Sequence, residues 1–165
     1  NSGDCFSAIE IKPINKLVFS CSNESFGKQL EIKNNSSKSI YFFEKEHNTI
    51  WLKFSSPYDA LMCFDIIPMD STYDFDFLLF KNDNVNFCDK LSIGQIKPLR
   101  SNISRNDLKN KSITGLKIEA KQNFIHSGVQ PIYSKAIEVN KTESYFLVID
   151  NVYGGKGGFS IQFNY

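Results

Sequence analysis

The sequence predicts an all-β fold and, within that class, a β-sandwich. Three observations support this prediction. The chain of 165 residues contains 15 Phe, 7 Tyr and one Trp, and aromatic and β-branched side chains favour strands. Alanine, the best helix former, occurs only four times. Short apolar or alternating segments separated by turn residues recur along the chain, which is typical of a sandwich or a barrel.

The predicted strands lie in two regions of alternating polarity. The N-terminal candidates are residues 9–11, 16–20, 29–33 and 40–43, with a turn cluster at 34–37. The stronger candidates are residues 48–54, 60–67, 74–80, 136–139, 144–150 and 158–165. The glycine-rich segment 154–158 predicts a hairpin loop between the last two strands.

Residues 81–134 form the one long irregular insertion that the sequence predicts. This segment is rich in Asn, Asp, Lys, Ser and Gly. Only residues 115–120 resemble a strand there, and residues 87–93 predict one or two helical turns. Connections of this length are uncommon and are often functional, or are held by side-chain hydrogen bonds.

Length and composition predict a single domain spanning residues 1–165. A domain of this size buries roughly 70% of its unfolded surface. The 19 basic and 18 acidic residues give a net charge of +1, without the basic excess of a nucleic-acid-binding protein. No segment reaches the roughly 20 apolar residues that span a bilayer. We expect neither nucleic-acid binding nor a membrane span.

Four cysteines, Cys5, Cys21, Cys63 and Cys88, have spacings that match no zinc motif. Four cysteines permit three full pairings. Cys5 and Cys88 both lie in polar, turn-rich surroundings, so a disulfide between them is the pairing that we predict. Cys63 lies in an apolar run and is expected to be a small buried side chain.

No arrangement of residues predicts catalysis. The two histidines, His47 and His126, lie in polar loops, and no motif places either beside a nucleophile. We therefore expect that the protein is not an enzyme.

Acidic residues predict a candidate calcium site. Asp74 and Asp76 are two residues apart, so their carboxylates project from the same face of a strand. Asp150 and Asn151 supply further oxygen ligands of the kind that calcium prefers. The alternative interpretation is a solvated face, or carboxylates that accept hydrogen bonds from loop N–H groups.

Polar residues of the insertion predict a second candidate site, for an anionic or sugar ligand. Its members are Arg100, Asn102, Arg105, Asn106 and Asp107. The alternative, which we favour, is that they fasten the insertion to the sandwich by hydrogen bonds to the backbone.

Trp51 lies on the strand face opposite Ile50, Leu52 and Phe54, and is a candidate platform for stacking a sugar ring. Such a Trp is more often packed beneath a loop.

Several segments together resemble the bacterial pre-peptidase C-terminal domain family. They are residues 133–139, 144–151 and 158–161, with the earlier segments 49–54 and 73–80. Residues 96–107, with 114–116, resemble the version of this domain found in Bacteroidetes surface and envelope proteins. The likeness covers about residues 45–165, and the strands in 9–43 are expected to pack on that part.

The resemblance implies a jelly-roll-like β-sandwich in a secreted, cell-surface or periplasmic location. Domains of this family are usually non-catalytic, and they are related to collagen-binding modules that take calcium. We therefore expect a binding or accessory module, assisted by calcium, that positions a larger protein on an envelope protein or a polysaccharide. The alternatives are a structural subunit of an envelope complex acting through protein contacts and, with the least support, a hydrolytic enzyme.

Overall fold

The computed structural model describes residues 2–20, 26–32, 41–83, 85–105 and 107–165. Within these residues the chain is a sandwich of two six-stranded sheets, as the sequence predicts. The strands are β1 (Ile9–Glu10), β2 (Lys16–Phe19), β3 (Thr49–Ser55), β4 (Ala60–Pro68), β5 (Phe75–Lys81), β6 (Arg100–Asn102), β7 (Thr114–Lys117), β8 (Phe124–Ile125), β9 (Tyr133–Lys135), β10 (Ile137–Val139), β11 (Ser144–Asn151) and β12 (Phe159–Asn164). One α-helix, α1 (Phe87–Ser92), and two 3-10 turns, Cys5–Ser7 and Leu108–Asn110, complete the described elements.

The two sheets are mixed in strand direction. The first sheet has the order β1-β3-β11-β5-β6-β8, and the second has the order β2-β12-β4-β7-β9, with β10 paired to β4. The central pairs are antiparallel, whereas three short pairs at the edges, β1 with β3, β6 with β8 and β7 with β9, are parallel. No described helix is long and apolar enough to cross a membrane.

The main core lies between the sheets and follows the alternation of the strands. Ile50, Leu52 and Phe54 of β3 point inward, as predicted, and meet Phe64 of β4 and Phe163 of β12. Successive strand side chains point to opposite faces, so the intervening residues of β3 lie on the outer face of the first sheet.

That outer face is also covered, by a second apolar cluster. Trp51, Phe80 and Phe146 project from neighbouring strands and pack beneath Phe42 and α1 residue Phe87. The first sheet is therefore buried on both faces. This explains why its strands β5 and β11 have almost continuously apolar sequences instead of a strict alternation.

The disulfide between Cys5 and Cys88 is present, which confirms the predicted pairing. Their Cα atoms are 5.8 Å apart, and the bridge fastens the N-terminal 3-10 turn to α1 over the outer face of the first sheet. Cys63 forms no disulfide with a described residue, and it is half-exposed instead of buried as predicted. Cys21 lies outside the described residues.

The insertion is largely irregular, as predicted, but it contributes more strands than the sequence suggests. The expected helical turns are α1, and the expected strand near residue 115 is β7. The short strands β6 and β8 extend the first sheet, and β7 and β9 extend the second. The insertion therefore adds an edge to each sheet.

Three local predictions are wrong. The glycine-rich segment 154–158 is not a hairpin loop, because β11 belongs to the first sheet and β12 to the second. It carries the chain from one layer to the other. Residues 41–43 and 29–32 form no strand; Ile32, Phe42 and Phe43 instead belong to the second cluster, whereas Leu30 is exposed. The neighbouring residues 33–40, including the predicted turn, lie outside the described part of the chain.

Candidate ligand-binding pocket

An open polar pocket of about 510 Å³ lies where β5 begins and β11 ends. We call it the polar pocket. It is lined by residues 42–45 and 47, 74 and 76, 103 and 105, 127 and 128, and 152 and 153. These residues come from the segment before β3, from the start of β5, from the insertion and from the turn after β11. The pocket therefore combines Asp74 and Asp76 of the predicted metal site with Arg105 of the predicted ligand site.

Strand register explains why three aspartates gather at this end of the first sheet. Asp76 of β5 lies directly opposite Asp150 of β11. Directly opposed residues of an antiparallel pair place their side chains on the same face, with Cβ atoms about 5 Å apart. This is the outer face, since Leu78 and Phe80 follow Asp76 toward the second apolar cluster. Asp74, 7% exposed, precedes β5 and lines the same pocket.

Asp76 is a strongly perturbed carboxyl group of the pocket. Its Oδ1 atom is buried and has no hydrogen-bond partner among the described residues. Burial raises the pKa of Asp76 well above its ordinary value, and the nearby charges of Asp74 and Asp150 raise it further. A buried carboxyl group without a cation is more stable in its neutral form. Asp76 therefore keeps its proton to a higher pH than an exposed aspartic acid does.

Asp150, by contrast, has its two oxygens occupied by hydrogen bonds. Oδ1 accepts the backbone N–H groups of His47 and Asn48, at 2.9 and 2.8 Å. Oδ2 lies 2.7 Å from Nδ1 of His47. A carboxylate only accepts hydrogen bonds, so Nδ1 carries the proton of this contact. Asp150 thus holds the turn before β3 against the end of β11, which is the alternative given above for the acidic residues.

Asn151 has a comparable bracing role. Its carbonyl oxygen accepts a hydrogen bond from Nδ2 of Asn48 at 2.9 Å, and its own Nδ2 donates to the carbonyl of Gly154 at 3.3 Å. No group of three or more His, Cys, Asp or Glu side chains within the described ranges is placed to hold a metal ion. Calcium binding by Asp74, Asp76, Asp150 and Asn151 therefore stays a prediction.

The pairing of His47 with Asp150 was not predicted from the sequence. An Asp–His pair also orients the base of a nucleophilic triad. In this structure the hydrogen bonds of His47 go to Asp150, and no described Ser, Thr or Cys is bonded to its ring. The imidazole, with its side chain 26% exposed, borders the pocket as a polar wall. His126 is exposed on the insertion.

The mouth of the polar pocket carries exposed charges. Arg105 and Lys45 are exposed cations, Glu44 is an exposed anion, and the ring of Tyr153 is 65% exposed beside them. The backbone N–H of Arg105 donates to the carbonyl of Gly128 at 2.9 Å, which fixes the main chain from which the guanidinium extends. Buried carboxyls inside and cations outside give the pocket two ends of different charge.

The other predicted ligand residues fasten the insertion, as in the alternative that we favoured. Arg100 donates from Nε to the carbonyl of Lys135 at 2.7 Å, and from its terminal nitrogens to Leu99 and Ala136. Asn102 donates to the carbonyl of Pro131 and accepts the N–H of Ser104. Asp107 caps the second 3-10 turn by accepting the N–H of Lys109. Asn106 lies outside the described residues.

We expect Arg100→Ala to lower the free energy of unfolding by about 2 kcal/mol, because three hydrogen bonds from a half-buried charged group are lost. Arg105→Ala, which removes an exposed side chain, should change it by less than about 0.5 kcal/mol. Urea denaturation followed by tryptophan fluorescence measures both values. Equal stability of the two variants would contradict the fastening role of Arg100.

The prediction that Trp51 is a sugar platform is wrong. The side chain is completely buried and stacks on Phe80 at a centroid distance of 6.4 Å, with Phe146 edge-on at 6.1 Å. The N-terminal segment and α1 cover this face. Trp51 is therefore packed beneath other segments, which is the alternative interpretation given for it above. Tyr153, beside the glycine-rich segment, was open to the same two interpretations as Trp51, and its ring is exposed at the polar pocket.

A larger cavity of about 610 Å³ lies at the edge of the second sheet. We call it the apolar groove. Residues 117, 119–122 and 131–133 line it, and its surface is almost entirely apolar. Nζ of Lys117 lies 4.0 Å from the centre of the Tyr133 ring. Ile118, between two lining residues, is 61% exposed. None of the described residues of either predicted site lines the groove.

Fold and site together define the class of protein: a disulfide-bonded β-sandwich with a polar pocket at one end. Comparison with protein-family models, with curated proteins and with solved structures found no match to this chain. Its function therefore has to be inferred from the pocket.

Proposed function

We propose that the protein is a non-catalytic, extracytoplasmic binding module whose polar pocket holds a unit of a polysaccharide. The pocket is the observation that carries this proposal. Its volume of about 510 Å³ lies within the range of small-molecule sites, roughly 300–1,000 Å³. Carboxyl groups, cations and an exposed tyrosine ring line the same space, and sugar hydroxyls and ring faces need such partners.

The Cys5–Cys88 disulfide supports an extracytoplasmic location, because disulfides persist in oxidising compartments. The resemblance to pre-peptidase C-terminal domains, and a jelly-roll-like connection of the strands, belong to the same proposal. In that setting the module would position a larger secreted or envelope protein on its polymer. The non-catalytic role belongs to the same proposal, and the bracing hydrogen bonds of Asp150 to His47 and Asn48 are consistent with it.

Isothermal titration against neutral, acidic and amino-bearing soluble polysaccharides tests this proposal. We expect saturable binding to one of these classes. Arg105→Ala should weaken it about tenfold or more, because hydrogen bonds to charged groups contribute about 1.5–3 kcal/mol. Lys141→Ala, which removes an exposed cation ahead of β11 at the opposite end of that strand, is the matched control and should bind normally.

Each titration is run with added calcium and with a chelator. A loss of affinity in the chelator would support assistance by calcium, and equal affinity would argue against it. Absence of binding across the whole panel, or equal affinities of Arg105→Ala and the wild type, would contradict the proposed pocket.

The second candidate is a structural subunit of an envelope complex, favoured by the apolar groove. Its low polarity and the exposure of Ile118 suit an apolar side chain of a partner protein. For this function the same titrations would give no saturable heat with any polysaccharide, and Arg105→Ala would leave partner binding unchanged.

A further inference from the structure

The inner end of the polar pocket has an excess of carboxyl groups. Asp76 lies opposite Asp150 in the strand register, and Asp74 lines the same space two residues earlier. Asp150 is occupied by His47 and Asn48. Asp76 forms no ion pair with a described residue, and its buried Oδ1 atom has no hydrogen-bond partner there. A buried polar atom left in this way costs about 1–3 kcal/mol. Asp76 as a whole is only partly buried and lines the pocket, so its carboxyl group is available to a ligand donor.

The mouth of the pocket has an excess of positive charge instead. Arg105 and Lys45 are exposed there, and Glu44 is the one exposed carboxylate among the described residues of the lining. The lining therefore changes from acidic inside to net basic outside. A ligand complementary to this arrangement carries a positive donor at its inner end and a negative group at its outer end.

We propose that the pocket is selective for a zwitterionic amino sugar, whose ammonium group binds Asp76 and whose anionic substituent binds Arg105. This inference rests on the proposed saccharide-binding function and names its ligand class. The ammonium supplies N–H donors to the carboxyl oxygens of Asp76, and Asp74 lies nearby on the same wall. The guanidinium of Arg105 offers two parallel N–H donors, a geometry that suits a phosphate or a carboxylate.

Binding of the ammonium should release a proton. While the pocket lacks a cation, burial and the charges of Asp74 and Asp150 oppose the ionisation of Asp76, so its carboxyl keeps its proton to a higher pH than an exposed aspartic acid does. At a pH where the carboxyl is still protonated, it gives its proton to the solvent when the ammonium arrives, and the resulting carboxylate pairs with the ligand. The ligand keeps its own three N–H bonds, so the overall change is one proton released for each ion pair formed.

Four matched sugars test the inference: glucosamine 6-phosphate, glucose 6-phosphate, glucosamine and N-acetylglucosamine. We expect glucosamine 6-phosphate to bind about tenfold or more tightly than glucose 6-phosphate, which has a hydroxyl in place of the ammonium. Glucosamine should bind more weakly than its phosphate, and N-acetylglucosamine most weakly of the four. Titration in two buffers of different ionisation enthalpy should show proton release only for the two amines.

Asp76→Asn should abolish the preference for the amine over the hydroxyl, because the neutral amide cannot become an anion. Asp89→Asn, at an exposed aspartate of α1, should keep the preference. If Asp76→Asn does not fold, Asp74→Asn tests the same end of the pocket.

Equal affinities for the amine and the hydroxyl sugar would overturn this inference, and the proposed function would stand if the polysaccharide panel binds. If a polysaccharide binds but none of the four sugars does, the inference is likewise overturned and the proposed function stands. If neither the panel nor the four sugars bind, the proposed function fails and the inference fails with it.

Discussion

Replacing Cys5 and Cys88 together by alanine is expected to lower the free energy of unfolding by about 4–5 kcal/mol. The two cysteines are 83 residues apart in the chain, and a cross-link that closes a loop of this length contributes about 4.5 kcal/mol in the chain-entropy model. Equilibrium urea unfolding of the oxidised wild type and the double variant measures the difference. Trp51 is a suitable fluorescence probe, because it lies in the apolar cluster beneath the bridge.

The loss should be greatest around the bridge. Helix α1 has only six residues, and helices shorter than about 12 residues are marginal without tertiary contacts. Amide exchange in residues 2–11 and 85–93 should therefore accelerate more than in β4 or β12. Cys63→Ala, at a half-exposed position of β4 that forms no disulfide with a described residue, is the control and should cost less than about 1 kcal/mol. A double variant as stable as this control would contradict a bridge between Cys5 and Cys88.

The sequence predicts the strands well where one side of a strand faces a simple apolar core. In β3 the alternation of Ile50, Leu52 and Phe54 identifies the inner face. The same alternation does not reveal what covers Trp51 on the other face. An exposed platform and a second packed layer give the same local sequence pattern. The covering layer here comes from Phe42, in a segment that the sequence predicts as a strand, and from α1 residue Phe87 in the insertion.

Most features of the polar pocket that the sequence does not predict depend on contacts between residues far apart in the chain. His47 and Asp150 are 103 residues apart, and no local spacing connects them. The spacing of Asp74 and Asp76 predicts two carboxylates on one face, but the register that brings Asp150 opposite Asp76 requires the pairing of β5 with β11. Similarly, the glycine-rich segment 154–158 predicts a hairpin loop, whereas its passage between the layers depends on the partners of β11 and β12.

Two further buried carboxyl groups lie close together near the N-terminal segment, and they were not predicted. Glu31 and Glu46 are 1% and 3% exposed. Oε1 of Glu31 accepts the N–H of Cys5 at 3.0 Å, and Oε2 of Glu46 accepts the N–H of Glu31 at 3.1 Å. The second oxygen of each group has no hydrogen-bond partner among the described residues. Both side chains therefore secure the segment that covers the outer face of the first sheet.

Burial determines the ionisation of this pair. It raises the pKa of Glu31 to about 7, with a smaller contribution from the charge of Asp4. Burial also raises the pKa of Glu46 to about 9, assisted by the charges of Glu31 and Asp150. The folded protein thus holds protons that the unfolded chain releases near pH 4.5. Stability must fall as the pH rises through the interval between the unfolded and folded values.

We expect the free energy of unfolding to decrease by about 3 kcal/mol between pH 4.5 and 7 through Glu31 alone, at about 1.4 kcal/mol for each unit of raised pKa. A further decrease should continue to about pH 9 through Glu46. The raised pKa of Asp76 acts in the same direction. The lowered pKa of Glu143, about 2, affects stability only in more acidic solutions. Urea unfolding at half-unit steps from pH 4.5 to 9.5 measures the profile.

Glutamine variants separate this pair from the remaining ionisable groups. Glu46→Gln keeps an acceptor for the N–H of Glu31 and removes the ionisable proton, so the decrease above pH 7 should become smaller. Glu31→Gln should flatten the profile between pH 4.5 and 7. It should also lower the pH at which Glu46 ionises, because a neighbouring negative charge is absent. Glu138→Gln, at an exposed position of β10, should leave the profile unchanged.

A stability that rises between pH 5 and 9, or Gln variants with the wild-type slope, would show that these carboxyls are solvated in the folded protein. Such a result would also mean that the N-terminal segment does not cover the first sheet as described, since the same packing that buries Glu31 and Glu46 also buries Trp51.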